Sequence, residues 1–113
     1  MKKLSWLLLV TLAFANTPGK HSVSLTWVDS DASVVGYNIY RGLATGVCSG
    51  TPTPYASSTS KSYVDASVTA GTTYFYAVSA VNGTGSESAC SAEAQASVPS
   101  FPASPSNLQA TTQ

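Results

Sequence analysis

The chain has 113 residues, enough for a single domain with one hydrophobic core. Charged residues make up only 9% of it and the formal net charge is zero, whereas soluble domains carry about 25% charged residues. A surface so poor in Lys and Arg cannot neutralise several phosphates, which argues against nucleic acid and anionic membrane as partners.

Residues 1–15 have the layout of a secretory signal peptide. Lys2 and Lys3 form a positive start, residues 4–12 are almost wholly apolar, and A-F-A at 13–15 supplies a cleavage site. The apolar run is much shorter than the about 20 residues that a membrane-spanning helix needs. We therefore expect export, with a mature chain that begins at Asn16 and keeps no membrane anchor.

The rest of the chain has the pattern of short strands separated by polar turns. Val23, Leu25 and Trp27 alternate with polar residues, which places all three on one face of a strand. Strand-like segments follow at 35–41, 62–65, 72–81 and 89–98. No segment after the leader has the apolar period of a helix, so the pattern predicts an all-β sandwich.

Glycine and proline mark the connections between these strands. The stretch 42–60 is rich in both and is predicted to be mostly loop, with any strand near Tyr55 confined to a sheet edge. N-G-T-G at 82–85 predicts a hairpin turn. Residues 99–105 hold prolines at positions 99, 102 and 105 and predict a stiff linker. The domain is therefore expected to span 16–98.

The two cysteines, Cys48 and Cys90, both fall in the part expected to be exported. An even number of cysteines in an oxidising compartment favours a disulfide. Their spacing fits no zinc pattern, and a single histidine cannot complete a four-ligand site. We therefore predict that Cys48 and Cys90 are bridged.

Three segments together resemble a fibronectin type III domain: V-S-L-T-W at 23–27, G-Y-N-I-Y-R at 36–41 and A-G-T-T-Y-F-Y-A-V at 70–78. The resemblance covers 22–98 and implies an immunoglobulin-like β-sandwich. In the family's fold the residue matched by Tyr74 is a corner tyrosine whose hydroxyl bonds to nearby backbone. The predicted core comprises Trp27, Tyr37, Ile39, Tyr74, Tyr76 and Val78.

The chain departs from the family pattern at both ends. The family's first strand precedes the Trp-bearing strand, but only residues 16–21 separate the expected cleavage site from that strand, so we expect a reduced or missing first strand. Beyond the linker, 103–111 resembles the first strand of another such domain. Residues 106–113 are therefore expected to begin a following repeat.

The sequence offers no catalytic residues, metal ligands or cofactor site. His21 is the only histidine and is expected to lie at the solvated surface, and a hydrolase needs a nucleophile, a base and an orienting group together. Asp29 and Asp31 are too few for Ca²⁺, which takes six to eight oxygen ligands, and are expected to cap a turn.

Tyr40, Tyr55 and Phe75 are expected to be exposed and to form a modest aromatic surface. Such a surface can bind polysaccharide or a neighbouring domain. The alternative is that each is an isolated exposed aromatic residue without a ligand.

These observations predict a non-enzymatic accessory module, secreted or at the cell surface. It would be a monomeric spacer or a weak protein- or carbohydrate-binding domain of a larger extracellular protein. Its partners would be neighbouring domains, extracellular protein or polysaccharide. The alternative is a structural subunit in which 106–111 completes the sandwich of another copy by β-strand addition. The two differ in size, since the second predicts a polymer.

Overall fold

The computed structural model describes residues 7–14, 21–102 and 105–112, the first of these as backbone only. Among the described residues there are strands and no helices: β1 (Leu7–Phe14), β2 (His21–Val28), β3 (Val34–Gly42), β4 (Ala56–Ser58), β5 (Ser62–Asp65), β6 (Thr73–Asn82) and β7 (Ala94–Ser97). Accordingly, no helix in this part of the chain is long and apolar enough to cross a membrane.

The strands form two antiparallel sheets. The first sheet has the order β1-β2-β5, and the second has the order β4-β3-β6-β7. The longest strand, β6, lies inside the second sheet, where it pairs with β3 on one side and β7 on the other. The all-β sandwich predicted from the strand pattern is therefore confirmed.

The core lies between the two sheets. The alternation in β2 buries Val23, Leu25 and Trp27, which are at most 4% exposed. From β3, Tyr37 packs edge-on against Trp27 with ring centroids 5.3 Å apart. All six residues predicted for the core are buried: Trp27, Tyr37, Ile39, Tyr74, Tyr76 and Val78. Burial of each large apolar side chain contributes about 1.5–3 kcal/mol to folding.

The position of the first strand differs from the sequence-based expectation. Leu7–Phe14 pairs with all eight residues of β2, from Leu7 opposite Val28 to Phe14 opposite His21. Before cleavage, this segment therefore takes the place of a first strand beside β2, whereas the expectation of a reduced first strand concerned the chain that begins at Asn16. The sequence pattern did not indicate this strand because an apolar run without alternation is typical of a leader. An open sheet edge, however, is satisfied by any extended backbone.

The signal peptide and its cleavage remain predictions. The two lysines at positions 2 and 3 and the segment 15–20 lie outside the described residues. The domain limits proposed from the sequence are likewise not tested by the pairing of β1 with β2.

Two further contacts hold the loops of the sandwich. Cys48 and Cys90 form the predicted disulfide, with Cα atoms 6.6 Å apart. The Tyr74 hydroxyl accepts a hydrogen bond from the backbone N–H of Thr69 at 2.9 Å, the contact expected of a corner tyrosine. These contacts tie the loops after β3 and β5 to the second sheet.

His21 is half-buried and not a solvated surface residue. Phe101 stacks on its ring with centroids 4.3 Å apart. The expectation failed because the linker was treated as separate from the domain, whereas its first residues turn back over the start of β2. Among the described residues, 105–112 form no strand.

Candidate functional site

The carboxylate of Asp65, at the end of β5, is fully buried and has several hydrogen-bond donors. It accepts hydrogen bonds from the hydroxyls of Tyr76 at 2.6 Å and Tyr55 at 2.8 Å, and from the backbone N–H of Ser67 at 3.0 Å. The Arg41 guanidinium completes the set with an ion pair at 2.9 Å. We call these five residues the Asp65 cluster.

The hydrogen bonds of the Asp65 cluster favour the ionised form of its carboxyl group. Burial favours the neutral acid, but the hydrogen bonds from Tyr76, Tyr55 and Ser67, together with that from Arg41, outweigh it and lower the pKa of Asp65. Burial and the nearby carboxylate raise the pKa of Tyr76 far above its ordinary value. The cluster fastens β3, β5 and β6 together.

Asp29 and Asp31 act in the turn after β2, as predicted for capping residues. Asp29 Oδ1 accepts the backbone N–H of Asp31 at 3.0 Å, and Asp29 Oδ2 accepts the hydroxyl of Tyr37 at 3.0 Å. Burial and this carboxylate raise the pKa of Tyr37 to about 12. No group of three His, Cys, Asp or Glu side chains among the described residues could hold a metal ion.

The predicted aromatic surface is not present in the form expected. Tyr40 is only 5% exposed, and its hydroxyl donates to Glu87. Tyr55 is half-buried with its ring 3.9 Å from the Arg41 guanidinium, and Phe75 is also half-buried. The alternation of β3 places Tyr40 on the outer face of its sheet, as expected, but it does not show that another segment covers that face.

The covering segment is 86–91, which runs back beside β6. The N–H groups of Ser88 and Ser91 donate to Ala80 and Val78 on β6, each at 2.8 Å. This course brings Glu87 over the outer face of the second sheet. Residues that lie far apart in the chain thus meet at one carboxylate.

Glu87 receives three hydrogen bonds on a single oxygen. Its Oε2 accepts the amide of Asn38 at 3.1 Å and the hydroxyls of Tyr40 and Ser79. Burial opposes ionisation, but the hydrogen bonds from Ser79, Tyr40 and Asn38 prevail and lower the pKa of Glu87. The sequence analysis missed this residue, because no local motif signals a contact that depends on strand register.

A groove of about 580 Å³ crosses β4, β3 and the end of β6. Asn38, one of its lining residues, donates a hydrogen bond to Glu87. Gly36, which pairs with Val81, also lines the groove. We call it the Gly36 groove. Its lining residues are Val35, Gly36, Tyr37, Asn38, Ser57, Ser58, Thr59 and Val81.

Known structures of this shape include the crystal structure of a Fn3-like protein from Clostridium thermocellum. That protein is 32% identical, with a TM-score of 0.60, and the match covers 83% of this chain and 92% of that one. The chain belongs to the fibronectin type III family. A human FNIII domain with 16% identity and a TM-score of 0.58 shows the same fold over 85% of this chain. No family model matches the chain.

The curated relatives of this fibronectin type III chain are amylopullulanases. That of Thermoanaerobacterium thermosulfurigenes is 41% identical over 87 residues, which are 76% of this chain and 4% of that protein. That of Thermoanaerobacter thermohydrosulfuricus is 42% identical over 85 residues, which are 74% of this chain and 5% of that protein. The chain therefore spans a small fraction of the length of these relatives.

Proposed function

We propose that the chain is a non-catalytic accessory module of an exported carbohydrate-active protein, in which it spaces neighbouring domains or weakly binds their polymer. The observation that carries this proposal is the match to amylopullulanases, which is strong in identity yet confined to 4–6% of their length. A module that recurs as a small part of such an enzyme is expected to assist the catalytic part and not to replace it.

The chemistry of the described residues supports a non-catalytic role. The buried carboxylate of Asp65 has its oxygens committed to Tyr55, Tyr76 and Arg41. The His21 ring is covered by Phe101, with ring centroids 4.3 Å apart. Catalysis needs a nucleophile and a base within hydrogen-bond reach of each other.

Two features support export. Residues 1–15 have the pattern of a signal peptide. The Cys48–Cys90 disulfide is a bond that persists in oxidising compartments and is rare in the cytosol. Together they favour a location outside the cell or at its surface.

A domain exchange tests the accessory role. The 87 matched residues of the Thermoanaerobacterium thermosulfurigenes amylopullulanase would be replaced by the corresponding part of this chain. We expect the chimera to keep the turnover number of the parent enzyme, since neither version of the module would touch the reacting bond. The isolated chain should release no reducing sugar from pullulan or soluble starch.

Two results would contradict the proposal. One is hydrolysis by the isolated chain that disappears on substitution of a single residue. The other is a folded chimera whose turnover number collapses although its catalytic domain is intact. A parent enzyme with the module deleted serves as the reference for both measurements.

A further inference from the structure

We propose that the Gly36 groove binds a neutral oligosaccharide, with Glu87 and Asn38 as its hydrogen-bonding end. The inference rests on the accessory role proposed above and adds to it a location and a ligand class. It arises from the shape of the groove, the arrangement of donors around Glu87 and the charge of the lining.

The groove has the size and mixed lining that a sugar chain needs. Its volume of about 580 Å³ lies within the range of about 300–1,000 Å³ typical of small-molecule sites. The pairing of β3 with β6 shifts between Val34 and Gly36, and Val35 at this irregularity is 61% exposed. Val35 and Val81 form an apolar side, against which the C–H face of a sugar ring can pack.

The opposite side and one end of the groove are polar. Ser57 and Thr59 are exposed and carry hydroxyls that can donate or accept. At the end, the Asn38 amide nitrogen is held by Glu87 at 3.1 Å. This bond fixes the orientation of the Asn38 amide group. The amide oxygen is therefore a preorganised hydrogen-bond acceptor.

Glu87 supplies a second placed acceptor. All three of its hydrogen bonds fall on Oε2, and within the described part of the chain Oε1 accepts none. Three donors from two strands hold the carboxylate in one orientation, which leaves Oε1 for hydroxyl groups of a ligand. A hydrogen bond to a charged acceptor is about twice as strong as one between neutral groups.

The charge of the site selects against anionic ligands. No Lys or Arg is among the groove residues, and Glu87 beside them carries a negative charge. A uronic acid polymer would therefore meet repulsion and find no compensating cation. A neutral glucan presents only hydroxyls and C–H groups, which this lining can satisfy.

Two substitutions test the site in different ways. Glu87→Gln keeps the shape of the side chain. Its amide oxygen can accept the three hydrogen bonds that Oε2 accepts in the parent. Its amide nitrogen then stands in the place of Oε1, so that a hydrogen-bond donor replaces an acceptor. Gly36→Val places a larger side chain in the groove. A Cβ at Gly36 would meet only the Ser58 carbonyl oxygen, at an ordinary 3.6 Å, so this variant is expected to fold.

Glu93→Gln is the matched control. Glu93 is also an exposed glutamate whose carboxylate accepts hydrogen bonds, from the N–H groups of Gly46 and Val47 at 2.7 Å each. It contacts the loop after β3 and is not among the residues of the Gly36 groove. Thermal unfolding of all three variants would establish that each is folded before binding is compared.

The experiment is an NMR titration of the full chain with maltooligosaccharides and with pullulan, and with polygalacturonate as the anionic comparison. We expect shifts at Gly36, Asn38 and Val81 with the neutral sugars and none with polygalacturonate. Both groove variants should bind about tenfold more weakly or not at all, while Glu93→Gln binds as the parent does.

Other results would overturn the inference. Binding that survives both Gly36→Val and Glu87→Gln would place the sugar elsewhere and leave the accessory role intact. Tighter binding of polygalacturonate than of the neutral sugars would show that the ligand is anionic. Binding of extended peptides along β4 alone would show that the ligand is a peptide. A parent chain that binds no glycan would refute the groove site, whereas the domain exchange tests the accessory role independently.

Discussion

The side chain of Asp65 joins β5 to β3 and β6. It is fully buried, yet it is charged, because Tyr55, Tyr76 and Arg41 together replace the water that it loses on folding. A buried charge that loses its partners costs several kcal/mol. The stability of the second sheet against β5 therefore depends on a complete set of donors.

Substitution of Asp65 by Asn should destabilise the protein by about 3 kcal/mol, because Arg41 then lacks its counter-charge and two tyrosine hydroxyls lose a strong acceptor. Tyr55→Phe is the graded control. It removes one donor and keeps the ring beside Arg41, so it should cost only about 1 kcal/mol. Urea unfolding measures both, and equal losses would contradict the dominant role of the charge.

The two lowered carboxyl pKa values also predict how stability depends on pH. Asp65 and Glu87 have folded pKa values below their ordinary values of 3.8 and 4.5. Their contribution is therefore complete above these ordinary values and is lost as the pH falls through the lower folded values. Urea midpoints should stay level near neutrality and drop below about pH 4. In Asp65→Asn the fall of the urea midpoint at low pH should be smaller. A fall as large as that of the parent would show that Asp65 does not contribute to it.

Strand β1 lies within the predicted signal peptide, so the residues that pair with β2 are also residues of the leader. The register places Leu8 opposite Trp27 and Val10 opposite Leu25, and it continues over the whole length of β2. Cleavage after Ala15 would remove this strand. The mature protein would then have to cover the edge of β2 in another way.

We predict that a chain beginning at Asn16 is less stable than the unprocessed chain. Without β1, one edge of β2 loses its backbone partners, and water gains access to the core beside Leu25 and Trp27. Urea midpoints of the two chains make the comparison. Equal midpoints would show that another segment, such as 16–20 or the tail, covers the edge. Intact mass of exported protein checks cleavage itself, and retention of Met1 would contradict it.

The disulfide joins the loop after β3 to the segment before β7. It closes a loop of 42 residues, for which the chain-entropy model gives a stabilisation of about 4 kcal/mol. The double substitution of Cys48 and Cys90 by Ser should therefore lower the free energy of unfolding by about that amount. A reducing agent should lower the stability of the parent and leave the double variant unchanged. Equal stability of parent and variant would show that the loops are already ordered without the bond.

At the scale of the whole molecule, the C-terminal tail decides between a monomer and an assembly. Phe101 packs on His21, but Leu108 further along is 96% exposed. An exposed apolar residue in an extended segment is suited to pairing with an open sheet edge. The edge of β2 is occupied by β1 in the full chain.

We expect the chain to be a monomer near its calculated 11.6 kDa, because β1 pairs with every residue of β2 along one edge. Light scattering after size-exclusion chromatography measures this mass. Deletion of 101–113 should leave the mass monomeric and remove the contact of Phe101 with His21. Oligomers that disappear on this deletion would instead favour strand addition by the tail.

Local pattern was sufficient to predict the family, the sandwich and the bridge between Cys48 and Cys90. The alternation of Val23, Leu25 and Trp27 indicates a buried strand face in any context, because side chains in a strand alternate between its two faces. An even number of cysteines beside a leader indicates a disulfide without any knowledge of geometry. These predictions depend on residues that are close together in the chain or on the number of cysteines.

The surroundings of Tyr40, Glu87 and Gly36 became known only from the tertiary structure. Alternation assigns Tyr40 to an outer face, but the segment 86–91 that covers it comes from far along the chain. The donors on Glu87 and the groove at Gly36 likewise depend on the register of β3, β4 and β6. A shift of one residue would turn these side chains to the other face, and short-range sequence patterns do not specify which strands become neighbours.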